Sequence, residues 1–287
     1  MMKYHGVLAL IGLFVLSLFG TMSLSQAGPL VGGVTYREIK APEILETNAV
    51  TYPYHDGYQL KILDETTGQG IGGVDVWIPK MGYHQVSNDR GVVKLPVRPS
   101  HSSIARFKVD GYAPKTLTLG TAKLEGLPNT EGQFQVQLKK SETTVIIDDA
   151  IRHLGDGTYA PNSAGSYKFR QQAQGPVLTK KFRLNGSIES SHVILTVGSV
   201  VGLDTIDAHY AGQSRFHKSS SPMVVTLNGS VVGYIKTNGD GTQFVIPKHQ
   251  LSLNGVNTLA IHTGYHRPDG VRIDYDDMEF MLLTLDF

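Results

Sequence analysis

Cysteine is absent from all 287 residues. That excludes disulfide staples, thiolate catalysis, thiolate metal sites and lipid attachment at a processed cysteine, so each domain must be held by its apolar core. Excess charge of one sign is also missing, with Lys+Arg 26 against Asp+Glu 25. No overall field is left to draw in nucleic acid or an anionic membrane, and neither is expected as a partner. Long apolar runs are scarce. The one that exists, Val7 to Met22, follows Lys3 and precedes Ser25-Gln26-Ala27. It is shorter than the roughly 20 residues a membrane-spanning helix needs, and small residues stand where an export peptidase reads. We therefore read residues 1–27 as a signal peptide cleaved after Ala27. A secreted, periplasmic or cell-surface location follows, with no membrane span after cleavage. No GxSxG, P-loop or dinucleotide fingerprint is found, which argues against an enzyme of those classes.

What is plentiful is turn-forming residues, Gly 32 and Pro 13, which favour an all-β chain over long helices. Residues 28–56 carry Pro29, Pro42 and Pro53 with little periodicity and read as an extended leader or an added edge segment. From Tyr58 the apolar residues alternate with period two. Tyr58–Leu63, Gly73–Ile78, Gly91–Val97, Ile104–Val109, Lys115–Leu119 and Gln133–Leu138 read as strands, separated by Thr67-Gly68-Gln69-Gly70, Asn88-Asp89-Arg90-Gly91 and Asp110-Gly111. This density of short strands suits an immunoglobulin-like sandwich. Trp77, the single tryptophan, is expected in the core, with an exposed ligand platform as the alternative.

The order Thr67-Gly68, Gly70-Ile71-Gly72-Gly73-Val74, Val76, Asn88-Asp89-Arg90-Gly91 and Gly111-Tyr112-Ala113-Pro114 resembles the carboxypeptidase regulatory-like domain, a prealbumin-type or Ig-like sandwich, over residues 57–140. The resemblance implies a non-catalytic spacer or docking module and carries over no catalytic residues. Residues 141–156 form a connector without a flexible Gly/Ser stretch, so the two halves are expected to lie close together. Within the connector, Asp148-Asp149 reads as part of a capped turn. On a strand the two would point to opposite sides.

Residues 157–287 again read as strands: Ser166–Arg170, Leu178–Leu184, Ser191–Val197, Pro222–Leu227, Ser230–Ile235, Gln243–Ile246, Asn257–His262 and Glu279–Leu285. Eight such strands suit a β jelly roll. Leu227-Asn228-Gly229, Gly233, Phe244-Val-Ile-Pro247, Leu253-Asn254-Gly255-Val256-Asn257-Thr-Leu259 and Asp276-Asp277-Met278-Glu279-Phe280 resemble the galactose-binding-like jelly rolls found in carbohydrate-binding modules. If successive strands alternate direction, alternate connections share an end. The Asn228-Gly229 turn and the 247–256 loop then lie at one end, and loops 202–221, 237–241 and 263–271 at the other. The second end gathers His209, Tyr210, Arg215, Phe216, His217, Tyr265, His266 and Arg267, aromatic faces beside planar hydrogen-bonding groups, together with Asp204, Asp207, Asn238, Asp240 and Asp269. Such a mixture can stack on the C–H faces of a sugar and bond its hydroxyls, so these eight are the candidate ligand-binding residues.

Asp274, Asp276, Asp277 and Glu279 are the candidate metal ligands, because the resembled jelly rolls often hold a structural calcium and the four are dense in oxygen donors. Alternation sets two on each face, which argues against one shared ion. His209, His217, His262 and His266 could approach one another for zinc or copper, although no HExxH spacing supports it. No cofactor is required. The sequence thus predicts a secreted, non-catalytic carbohydrate-binding or cell-surface accessory protein with a glycan or cell-surface polysaccharide as partner. It leaves open a structural or adhesive module that binds another secreted protein through its sheet faces, and a polysaccharide-active hydrolase or lyase built from the loop residues.

Overall fold

Alternating apolar residues mark most strands of this protein. The structure is a computed structural model that describes residues 58–97, 99, 103–119, 133–157, 169, 171–184, 188–214, 221–267 and 269–287. The expected signal peptide, leader and Ser166–Arg170 strand lie mostly or wholly outside them. Contacts divide the chain into Met1–Val50 and Thr51–Phe287, and all described residues belong to the second unit.

Its strands run in chain order β1 (Tyr58–Asp64), β2 (Asp75–Ile78), β3 (Tyr83–Val86), β4 (Val92–Leu95), β5 (Ser103–Lys108), β6 (Lys115–Leu119) and β7 (Gln133–Leu138) in the first half. The second half holds β8 (Val145–Leu154), β9 (Val177–Arg183), β10 (His192–Val201), β11 (Met223–Leu227), β12 (Ser230–Ile235), β13 (Thr242–Pro247), β14 (Val256–His262), β15 (Tyr265–His266), β16 (Asp274–Tyr275) and β17 (Met278–Asp286). The single described α-helix is α1 (Ile206–Tyr210). The all-β expectation holds.

In the first half the sheets β4-β1-β7 and β3-β2-β5-β6 face each other. Leu60 and Ile62 from β1 and Phe134 and Val136 from β7 meet Val76, Ile78, Ala105 and Phe107 from the other sheet in one core. Each large side chain fully buried there, such as Phe107 or Phe134, contributes roughly 1.5–3 kcal/mol. All ladders are antiparallel except β1 with β7. In the second half two wholly antiparallel four-stranded sheets, β13-β10-β17-β8 and β12-β11-β14-β9, enclose another core. The two-residue turn between β11 and β12 has positive φ at both Asn228 (50°) and Gly229 (83°), as the dipeptide predicts for a hairpin matched to strand twist.

The halves are stacked. The outward residues of β5 and β6, which an alternating pattern assigns to solvent, are buried: Ile104 1%, Thr116 2% and Thr118 0% exposed. They pack on the outer face of the β10-β17-β8 sheet, where Ile104, Ile151, Val201 and Met281 form a third apolar cluster joined by Trp77 and Phe169. Trp77 therefore packs in the seam rather than in the first core. Arg106 lies with its guanidinium 4.9 Å from the Trp77 ring and bridges Asp75 (2.8 Å) and Asp149 (3.0 Å). Asp240 accepts from the Thr118 amide (2.8 Å), the Thr118 hydroxyl (2.7 Å) and the Ser199 hydroxyl, and Ser199 N–H donates to Thr116 Oγ1 (2.6 Å). Thr116, Thr118 and Ser199 thus each find a partner across the seam, as burial favours. β17, lying in the middle sheet, is buried at eight successive positions.

Residues 145–154 differ from the reading as a connector with a capped turn. They form β8, which pairs with β17 along the sheet edge. Asp148 faces Arg152 and Lys180, whereas Asp149 faces Arg106 and Lys108 in the other half. The strand conformation sets adjacent carboxylates on opposite sides, and each finds cations there.

Candidate functional site

The alternation of strand direction brings together the loops at each end of the second half. At one end the Asn228 side chain donates to the Gln250 carbonyl (2.8 Å) and to Asn257 Oδ1 (3.0 Å). At the other, the loops after β10, β12 and β14 are tied by side chains that replace missing ladder bonds. Asn238 accepts from Leu203 N–H (2.8 Å) and donates back to its carbonyl (3.1 Å), while Gln213 makes the same reciprocal pair with the Asn238 backbone (2.8 and 2.9 Å). Asp276 accepts from Asp204 N–H (3.0 Å), and its own N–H donates to the Gly264 carbonyl (2.9 Å). Thr205 caps α1 by accepting from Ala208 N–H (3.0 Å).

On this base stands the short hairpin β15–β16. Tyr265 N–H donates to Ser221 Oγ (3.0 Å), and Ser221 N–H donates to the Tyr265 carbonyl (2.9 Å). The approach is close enough that a Cβ on Gly264 would stand 1.9 Å from the Ser221 carbonyl oxygen, so glycine is required. Period two then turns Tyr265 outward (43% exposed) and His266 inward, where its Nε2 lies 3.3 Å from Asp274 Oδ2. Tyr275, opposite Tyr265 in the ladder, meets it edge to face with ring centroids 6.4 Å apart. Arg267 lies over Tyr265, 6.0 Å from the ring centre.

Of the eight expected ligand-binding residues, the structure thus joins Tyr265 and Arg267 into one platform and places His266 beneath it. His209 and Tyr210 form a second group on α1, with rings 5.8 Å apart, His209 Nδ1 3.2 Å from the Ser214 carbonyl, and Tyr210 exposed. Arg215, Phe216 and His217 lie outside the described residues. Tyr275 was missed by sequence reasoning. Its signal was register within the 265–275 hairpin, where a residue directly opposite Tyr265 shares its face.

The four candidate metal ligands have separate protein partners. Asp274 pairs with His266, Asp276 holds the Asp204 amide, Asp277 meets His153 Nε2 at 2.9 Å and accepts from Gly157 N–H (3.2 Å), and Glu279 accepts from Gln171 N–H (3.0 Å). Among the described residues no group of three or more His, Asp or Glu side chains is arranged to hold a metal ion. Burial, reinforced by the nearby Asp204, Asp277 and Asp274 charges, pushes the Asp276 carboxyl well above the usual carboxylate range. Burial also raises Asp204 to about 7, although the Ser214 hydroxyl donates to it.

No protein-family model matches the chain, and no curated protein matches it in sequence. Among the described residues no helix is long and apolar enough to cross a membrane.

Proposed function

We propose that this chain is a secreted or cell-surface accessory protein that binds glycan without chemically altering it, through the hairpin platform of its second half. The observation that carries this reading is the half-exposed Tyr265 ring, braced by Tyr275 and flanked by the Arg267 guanidinium, on loops locked by buried hydrogen bonds. An aromatic face suits the C–H side of a sugar ring, and planar donors suit its hydroxyls. One or two stacking contacts and a few net hydrogen bonds, each about 1 kcal/mol, correspond to roughly millimolar to sub-millimolar affinity. In this reading the second half is a galactose-binding-like jelly roll, supported by its paired four-stranded antiparallel sheets. The first is an Ig-like or carboxypeptidase regulatory-like scaffold, supported by its sheets of three and four strands.

The carboxyls whose proton affinity is most displaced, Asp204 and Asp276, are the obvious acid–base candidates for a hydrolase or lyase. Their 2% and 3% exposure and their bonds to Ser214 and to the Asp204 amide give them a structural task instead. The binding reading is tested by retention of the purified protein on immobilised polysaccharides and glycan arrays, beside Tyr265→Ala. Retention lost in the variant with unchanged melting supports it. Absence of retention on every glycan overturns it.

A second reading, a protein-binding module, is favoured by the outer face of the β12-β11-β14-β9 sheet. The cross-strand row Tyr234, Val224, His262 and Val177 lies there, with Tyr234 52% and Val177 43% exposed. A stable complex lost on Tyr234→Lys and insensitive to Tyr265→Ala would establish it.

A further inference from the structure

Arg267 is exposed, and among the described residues no carboxylate forms an ion pair with it. The acids around it have other partners. Asp269 accepts from the amides of Val271 (3.0 Å) and Arg272 (2.8 Å) and pairs with the Arg272 guanidinium at 2.9 Å, interactions that hold its carboxyl down at about 2. Asp274 pairs with the buried His266 on the inner side of the hairpin. Asp156 accepts from Tyr275 N–H (3.2 Å) on the opposite strand. The guanidinium beside the Tyr265 ring is thus held near the stacking surface without an acid of its own.

That arrangement discriminates among sugars. A neutral hydroxyl gains from the guanidinium an ordinary hydrogen bond in competition with water, whereas a carboxylate gains a shorter, charge-assisted and often bidentate one. The ring supplies the apolar half of the contact, and the planar fork suits a carboxylate better than a lysine ammonium would.

We propose that the glycan held at Tyr265 is acidic, a uronate-containing polysaccharide whose sugar carboxylates are received by Arg267. The proposal rests on the glycan-binding reading above and adds the charge of the ligand. Binding weakens with salt, because the contact is exposed and screened.

Affinity electrophoresis of the full protein in gels containing polygalacturonate, alginate or hyaluronan, each beside its carboxyl-reduced neutral counterpart, tests the proposal. At least one acidic polymer retards the wild-type protein, and its reduced counterpart does so about tenfold more weakly. Arg267→Ala removes that preference, Arg267→Lys restores part of it, and Tyr265→Ala weakens binding to both forms. Melting temperatures of the Arg267 variants stay at the wild-type value, because the side chain is exposed. Equal retardation by acidic and reduced polymers, or an acidic preference that survives Arg267→Ala, overturns the acidic ligand and leaves glycan binding standing. Retention on neutral glycans alone does the same. Failure with every acidic and neutral polymer overturns both.

Discussion

His153 Nε2 lies 2.9 Å from Asp277 Oδ1, and both side chains are wholly buried. His153 Nδ1 lies 2.7 Å from the Gln171 carbonyl oxygen, so both ring nitrogens face acceptors and both must donate. The imidazolium form is the one this geometry serves. Burial opposes its charge, but the bonds to Asp277 and Gln171 and the charges of Asp277 and Glu279 outweigh burial and raise the pKa.

Removing either partner strands the other. We expect His153→Ala and Asp277→Ala each to lose about 3–5 kcal/mol of stability, measured by urea denaturation. Because the folded-state pKa of His153 is raised, its contribution is complete below the unfolded value near 6.5 and is lost as pH climbs through the folded value. A wild-type melting profile flat between pH 6 and 9, unchanged in His153→Gln, would contradict this assignment.

Asp204 gives a second pH dependence at lower pH. Its folded pKa of about 7 stands above the unfolded value of 3.8, so the folded state holds the proton more tightly. The stabilisation is complete below about pH 4 and fades as pH rises through 7. Asp204→Asn keeps an oxygen for the Ser214 hydroxyl and abolishes the ionisation. Denaturant titrations at intervals between pH 4 and 8 will show a shallower loss of stability in the variant, with its greatest relative gain at pH 8.

The seam admits no added atoms. A Cβ on Gly198 would stand 2.3 Å from the Met281 carbonyl oxygen and 2.5 Å from Thr116 Oγ1. Gly198→Ala must push β6 from β10 or distort β17, an overpacking cost of about 1–3 kcal/mol. Differential scanning calorimetry will show one transition for the wild-type protein and a lowered or split one for the variant.

Arg106 holds the same seam by charge. Its fork serves Asp75 and Asp149 at once while lying over Trp77. Lysine cannot reproduce that geometry. Arg106→Lys is expected to destabilise by about 1–2 kcal/mol and to increase the solvent exposure of Trp77, visible as a red shift of its fluorescence.

Most strands, the Asn228-Gly229 hairpin and the gathering of three loops at one end were legible because they follow from local periodicity and strand direction. Closeness of the halves was expected from the connector, but the faces that meet were not legible. Thr116 and Thr118 alternate with Leu117 and Leu119 on β6, and alternation distinguishes polar from apolar, not water from a second buried surface. β8 escaped notice because its polar residues Asp148, Asp149, Arg152 and His153 resemble a turn until their partners on other strands are known. At the candidate site, composition pointed to Tyr265 and Arg267 but also to His266, whose inward direction depends on hairpin register. The carboxylates that suggested calcium looked alike in sequence. Tertiary packing gave each a different partner.

The central position of β17 also orders events in time. It is farther along the chain than every other described strand, yet it separates β10 from β8 and supplies residues to both the second core and the seam. During synthesis β8 and β10 emerge long before the strand that joins them. Until it arrives, β8 lacks its described ladder partner and the first half lacks part of the surface that covers Ile104. A nascent chain halted before Met278 therefore presents open strand edges and uncovered apolar faces to whatever holds it.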